Sequence, residues 1–427
     1  MLDLRTQTVR TLIAMMAAGA VLGAGAARAQ DAGAPAPLAA EAATAAIQAA
    51  PDRERARLNQ RVFDKVWNEV RTEYYDPTLN GVDWRAVRGA YRPRALAAVD
   101  DRELYRALDE MLDLLDDQHA GASPPAVVRR RDALRTRRAV IGVGLARQEG
   151  GDYRVEQVRA GSPAAEAGID QGWMLRATGW TPELEVVEGE PVVMQFTDAD
   201  GADRTLTVTP RMMDPVPAFS ADRSRPGVLV LRIEGFEAGL GAWIGAQLTD
   251  IAPETDIVLD MRNNPGGRLA EAEAVLSCFL PAHQPWAVRT DRSGARQTLK
   301  TDQPCGQLSA PVANEVAVLV NNASRSSAEL TPAALQEARR ALVVGERTGG
   351  AVLISRETAL PDGGSLTLSR ADFATLGGVR LEKTGVTPDL VVTRSAEDRR
   401  AGRDPVLDAA VAAMAAPMDA AATVSPN

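Results

Sequence analysis

EVAVLVNNASRSSAELTPAALQEARRALVVGE, Glu315 to Glu346, carries the pattern on which the fold turns. An apolar run ends at Val320, a serine-dense turn follows, helix formers begin near Ser327, and LVVGE returns to strand character. Strands that are apolar on both sides of the pleat belong to a sheet covered on both faces. The alternation extends upstream to Gly227, through VLVLRIEGF, GLGAWIGAQLTDI, DIVLDM and LAEAEAVLSCFL. Residues 214–415 are therefore read as an α/β domain.

Upstream the periodicity changes. Val62, Val66 and Val70 share one helical face, as do Leu104, Leu108, Met111, Leu112 and Leu115, so residues 53–125 read as a helical bundle. The last helix stops at LLDDQHAGASPP, which leaves His119 at its exit. The arginines at 129, 130, 131, 135, 137 and 138 read as a solvated linker. Short strand-like runs separated by glycine turns then make residues 137–213 a small β-rich domain. Its segment AGSPAAEAGIDQGWML resembles the PDZ family, with one departure. Between Trp180 and PVVMQF stands only TPELEVVEGE, whose Pro182 and Gly189 oppose the long helix that would wall a peptide groove.

The chain has 427 residues, 45% hydrophobic and 25% charged, enough for cores in two or three domains. Its net charge of −9 excludes a nucleic-acid binder. Arg5 and Arg10, the run TLIAMMAAGAVLGAGA and the Ala27-Arg28-Ala29 site make residues 1–29 a secretory signal cleaved near Ala29. That places the mature chain in the periplasm or outside the cell, with residues 30–52 as a flexible leader and 416–427 as a tail. No later run is apolar enough to span a bilayer. No phosphate loop or metal-ligand spacing occurs, so no cofactor is expected. Cys278 and Cys305 form a candidate disulfide in an oxidising compartment, two buried thiols being the other reading.

Serine catalysis needs a hydroxyl, a base and donors aimed at the developing oxyanion. Ser324, Ser326 and Ser327 lie at a helix N-terminus, where free N–H groups favour negative charge; the bland reading is that they only cap the helix. A second strand–turn–helix, LDMRNNPGGRLAEAE, has glycines that let backbone amides approach a ligand.

Taken in order, the helical bundle, the PDZ-like insert, D-x-R-x-N-x-G-G, S-x-S-x-x-E, G-E-x-T and G-V-x-P-D resemble the carboxyl-terminal processing protease and tricorn core family of serine peptidases, S41, over roughly residues 55 to 415. The resemblance implies a crotonase-like or ClpP-like α/β core, with Ser326 as nucleophile and the N–H groups of Gly267 and Ser327 as oxyanion donors. The processing proteases take their base from a lysine in T-F-G-K with a glutamine four residues on. Here Thr348, Gly349, Gly350 and Ala351 stand in that stretch, Ser355 replaces the glutamine, and the three lysines, Lys65, Lys300 and Lys383, lie elsewhere. The tricorn branch instead uses a histidine at the bundle exit and a glutamate before G-V-x-P-D, which correspond to His119 and Glu382. A carboxylate beside His119 is expected to fix its tautomer and raise its pKa. His283, in the loop PAHQPW, is the other histidine. Strand alternation is expected to turn Lys383 away from the face of Glu382. The implied function is an exported endopeptidase acting on unfolded or carboxyl-terminal polypeptide segments through an acyl-enzyme. The rivals are a catalytically silent ligand- or peptide-binding protein on the same fold and a small-molecule esterase.

Overall fold

The computed structural model describes residues 51–133, 137–148, 151–177, 180–182, 184 and 186–415. The signal read at 1–29, the leader up to residue 50 and the tail from 416 lie outside them. Three helices come first, α1 (Arg53–Glu73), α2 (Trp84–Ala97) and α3 (Asp101–Asp113). Each begins on an aspartate, Asp52, Asp83 or Asp100, whose carboxylate accepts from first-turn amides. The valines of α1 and the Leu104, Leu108, Met111 and Leu112 stripe of α3 are fully buried, in a cluster that includes Leu366 and Leu368 from far along the chain. Strand β1 (Gly121–Ser123) and helix α4 (Pro125–Ala133) follow. Helix α4 corrects the sequence reading at this point. Part of the arginine run is helical rather than linker, begun by a proline whose missing N–H costs nothing at a first turn, and Arg131 pairs with Glu357 at 2.5 Å.

A β-unit comes next: β2 (Arg138–Val140), β3 (Val143–Arg147), β4 (Tyr153–Val158), α5 (Pro163–Glu166), β5 (Met174–Leu175), β6 (Val192–Thr197), β7 (Asp203–Val208) and β8 (Arg211–Met213). Strands β3 to β7 pair antiparallel in chain order, while β2 pairs with β8 where the chain enters and leaves. Val155, Leu175, Met194 and Phe196 fill the interior. No helix occurs among the described residues between β5 and β6.

The rest of the chain builds two sheets from β9 (Phe219–Asp222), β10 (Val228–Ile233), α6 (Leu240–Leu248), β11 (Asp256–Asp260), α7 (Leu269–Ser277), β12 (Pro285–Asp291), β13 (Arg296–Lys300), β14 (Val316–Val320), α8 (Ser327–Glu337), β15 (Leu342–Gly345), β16 (Ile354–Ala359), β17 (Ser365–Thr375), β18 (Leu390–Val391), α9 (Ala396–Arg400) and α10 (Pro405–Met414). The six-stranded sheet runs β18-β15-β14-β11-β10-β9, parallel except for β9. Every residue of β14 is buried, because α6, α7 and α8 contribute to the cluster on one face and α10 to that on the other. A second, antiparallel sheet runs β1-β17-β12-β13 with β16 also on β17. The pairing of Gly121 with Thr367 carries the exit of the helical region, and His119 with it, onto the carboxyl-terminal half. Among the described residues no helix is long and apolar enough to cross a membrane.

Candidate active site

The turn from β14 to α8 holds Ser326 at φ 54°, ψ −122°, a conformation a non-glycine residue keeps only when its surroundings enforce it. The enforcement is visible. Ser326 N–H donates to Ala351 O at 2.8 Å and to Glu329 Oε2 at 3.0 Å. Glu329 is fully buried and also accepts from Thr348 Oγ1 (2.5 Å), Gly350 N (2.7 Å) and Ala351 N (2.9 Å). Burial raises the pKa of its carboxyl, and these hydrogen bonds offset the rise only in part.

The three serines of the turn have different surroundings. Ser324 is fully buried, donates to Met261 O at 2.8 Å and accepts from Asn321 N at 3.0 Å. Ser327 donates its hydroxyl to Gly267 O at 3.1 Å. Ser326 is half-buried at the head of α8, where Glu329 completes a capping box by accepting from Ser326 N–H.

The Asn-Pro-Gly-Gly turn is tied against this one. Asn263 and Asn321 exchange hydrogen bonds of 2.9 and 2.8 Å, and Arg325 N–H donates to Asn264 O at 2.9 Å. Asn264 fixes the glycines by accepting from Gly266 N at 2.8 Å. A Cβ on Gly266 would sit 2.6 Å from Ser326 Cβ and 3.0 Å from Ser327 N, so only glycine allows the approach. Phe236 brackets the pair, taking Gly266 O on its amide and giving its own carbonyl to Arg268 N, each at 2.8 Å. Among the described residues neither Gly267 N–H nor Ser327 N–H donates a hydrogen bond.

His119 is largely buried, with 15% of its side chain exposed, and among the described residues its Nδ1 has no hydrogen-bond partner. Its nearest charged neighbour was missed from the sequence: Asp117, whose Oδ1 accepts from His119 N at 2.8 Å and lies 4.0 Å from Nδ1. The D-x-H spacing was its signal. The expectation of a raised histidine pKa is corrected. Burial pulls the ring below the usual histidine range, Arg325 adds to this, and Asp117 opposes both without overcoming them.

Glu382 is 4% exposed, and its Oε2 accepts from Val352 N (2.9 Å) and Leu353 N (3.3 Å). Its Oε1 is buried without a hydrogen-bond partner among the described residues. Burial raises its pKa, and the field of Asp117 raises it further. Among the described residues no ion pair or hydrogen bond joins Glu382 to His119. Residues 382 to 384 form a turn rather than a strand, and Lys383, at φ 63°, leaves for solvent to pair with Asp116. Ala351, where the processing proteases carry their lysine, is buried, and its amide and carbonyl engage Glu329 and Ser326. Lys65 pairs with Glu69 at 2.6 Å and Lys300 is exposed. His283 is 81% exposed and pairs with Asp302. Cys278 and Cys305 are bridged.

A half-buried serine on an enforced strand-to-helix turn, tied to a glycine turn whose Gly267 amide donates to none of the described residues, is an arrangement that serine hydrolases use. Residues 227–392 match the model of Peptidase family S41, and residues 57–113 match the Tricorn protease C1 domain. The chain carries a Peptidase S41 domain and a Tricorn C1 domain and is a serine peptidase. It is similar to the chloroplastic C-terminal processing peptidase of Tetradesmus obliquus, 28% identical over 78% of this chain and 76% of that one. It is also similar to tricorn protease homolog 1 of Streptomyces coelicolor, 29% identical over 86% of this chain and 36% of that one. The solved structure of a photosystem II D1 C-terminal processing protease superimposes with a TM-score of 0.61 at 25% identity, covering 78% of this chain and 93% of that one.

Proposed function

We propose that this peptidase is exported and cleaves carboxyl-terminal or unfolded polypeptide segments with a tricorn-like Ser326–His119–Glu382 triad. The observation that carries the nucleophile is the division of labour among three serines. Ser324 and Ser327 donate their hydroxyls to backbone carbonyls, and among the described residues the Ser326 hydroxyl donates to none. In the reaction Ser326 Oγ attacks the scissile carbonyl carbon and its proton passes to His119. The oxyanion is received by the two amides. When the C–N bond breaks, His119 protonates the leaving amine, and water then hydrolyses the acyl-enzyme by the same relay. A histidine held below its usual pKa is neutral, and so able to accept a proton, at the pH of the periplasm.

The substrate class follows from the relatives' names as carboxyl-terminal processing enzymes. The absence of an ionisable side chain at Ala351 favours the tricorn-like branch over a serine–lysine dyad. The β3 to β7 unit is taken as PDZ-like. Its ion pairs to the core, Glu156–Arg325 at 3.3 Å and Asp170–Arg399 at 3.0 Å, join it to the residue before the nucleophile and to α9.

The test is fluorophosphonate labelling of the purified protein with turnover of a peptide substrate. Wild type and Ser324→Ala should label, and Ser326→Ala should not. His119→Ala should lose turnover while Lys383→Ala stays within about threefold. Labelling that survives in Ser326→Ala removes the assignment, and a wild type that neither labels nor turns over is the silent binder. A dead Lys383→Ala beside an active His119→Ala restores a lysine base.

A further inference from the structure

Among the described residues three polar atoms at one end of the site, His119 Nδ1, Asp117 Oδ2 and Glu382 Oε1, are buried without a well-formed hydrogen bond, with the Tyr74 phenol facing the Asp117 carboxylate. Buried acceptors and ring nitrogens left unpaired are costly, and where they gather they mark groups held ready for a proton or an ion pair. The side chain of Asp117 is 1% exposed. Its neighbours are few and specific. Tyr74, fully buried at the end of α1, has its phenol pushed up in pKa by burial first and then by the charge of Asp117. Glu382 feels the same charge. His119 donates its backbone N–H to Asp117 Oδ1 at 2.8 Å, and the same oxygen lies 4.0 Å from its Nδ1.

We propose that Asp117 is a positioning residue for the general base. It holds the His119 backbone with one oxygen and stabilises the Nδ1–H tautomer with its charge, so that Nε2 is the nitrogen that accepts the Ser326 proton. Glu382 also braces the serine turn. It clamps the amides of Val352 and Leu353, immediately after the Ala351 carbonyl that receives Ser326 N–H. The two segments are fastened together by the ion pair of Asp116 with Lys383, the residues immediately before Asp117 and after Glu382. The inference rests on the proposed triad with His119 as base, and it adds to Glu382 a second carboxylate that acts on that base. The charged and titratable groups around the ring are Asp117 on its own segment, Arg325 from the serine turn, and Glu382 and Tyr74 within the field of Asp117.

Asp117→Asn keeps an oxygen for the His119 amide and removes the charge. Because that charge raises the ring's pKa, its loss should move the acid limb of kcat/KM to lower pH, and the plateau should fall at least tenfold as the tautomer and the imidazolium lose support. Glu382→Gln should lower the plateau and leave the limb nearer its wild-type position. If His119→Ala is inactive while Asp117→Asn keeps the wild-type limb and plateau, the role of Asp117 is refuted and the base survives. If His119→Ala is active, the base itself is refuted. A measurement on the unaltered acid network covers the case of a variant that fails to fold. In ¹⁵N-labelled Ser326→Ala, with His283→Gln removing the second signal, the neutral His119 ring should show Nδ1 protonated and Nε2 bare. The opposite tautomer overturns the proposal.

Discussion

Replacing Gly266 by alanine adds one carbon at the tightest point of the site. That carbon would stand 2.6 Å from Ser326 Cβ, 2.8 Å from Arg325 O and 3.0 Å from Ser327 N. Carbon atoms rest about 3.5–4.0 Å apart, so one of the two turns must retreat by roughly 1 Å. The asparagine pair and the Arg325–Asn264 hydrogen bond resist a concerted shift, so the movement should fall between the serine turn and the glycine turn. A misplacement of about 1 Å in a catalytic array costs on the order of 100-fold in rate. Gly266 also sits at φ +97°, and the strain of an L-residue there is about 1–3 kcal/mol, with overpacking adding a similar amount. A control separates these causes: Gly294, at φ +83°, has nothing within 4 Å of where its Cβ would be. Gly294→Ala should lose stability alone. Gly266→Ala should lose both stability, read by urea midpoint, and about 100-fold in kcat and in the rate of fluorophosphonate acylation. If Gly266→Ala acylates within threefold of wild type, the two turns do not form one site and the oxyanion assignment to Gly267 fails with it.

Cys278 and Cys305 stand 27 positions apart, and a bridge closing such a loop stabilises by about 3.5 kcal/mol in the chain-entropy model. Denatured, unreduced protein from an oxidising compartment should therefore titrate no thiol, and the Cys278→Ser/Cys305→Ser double variant should lose stability on that scale; two free thiols in the wild type would exclude the bridge. Asp109, half-buried beneath β1, has its carboxyl pushed up to about 6 by burial, against the hydrogen bond from Ala122 N that favours its anion. Its folded pKa lies above the unfolded value of about 3.9, so it contributes stability that is complete at acid pH and lost as the pH rises through about 4 to 6. Asp109→Asn should match wild type at pH 4 and exceed it by up to about 3 kcal/mol at pH 8 in urea unfolding. Equal stability of the two at pH 8 would show that the carboxyl is better solvated than its position implies.

The α/β core was legible because its physics is local. Continuous apolar runs in β10, β11 and β14 report burial on both faces, and turn residues mark where each strand hands over to a helix. The capping arrangement at the proposed nucleophile was legible for a related reason, since the S-x-x-E spacing of Ser326 and Glu329 lies within one helical turn. Composition also limited the base to few groups, with three lysines and two histidines in the whole chain.

What tertiary structure decided is the assignment of partners across distance. No local pattern tells that the hydroxyls of Ser324 and Ser327 are engaged by Met261 O and Gly267 O, because those carbonyls arrive from the neighbouring strand–turn–helix. Strand alternation pointed Lys383 away for the wrong reason; a turn at positive φ, and an aspartate more than two hundred residues upstream, hold it in solvent. The carboxylate nearest His119 came from its own segment, because the exit of α3 folds back and the β1–β17 ladder buries Asp117 beside the ring. Electrostatics inside a protein depend on burial as much as on sequence neighbours, so the lowered pKa of His119 emerged only when the helical region and the core closed over it.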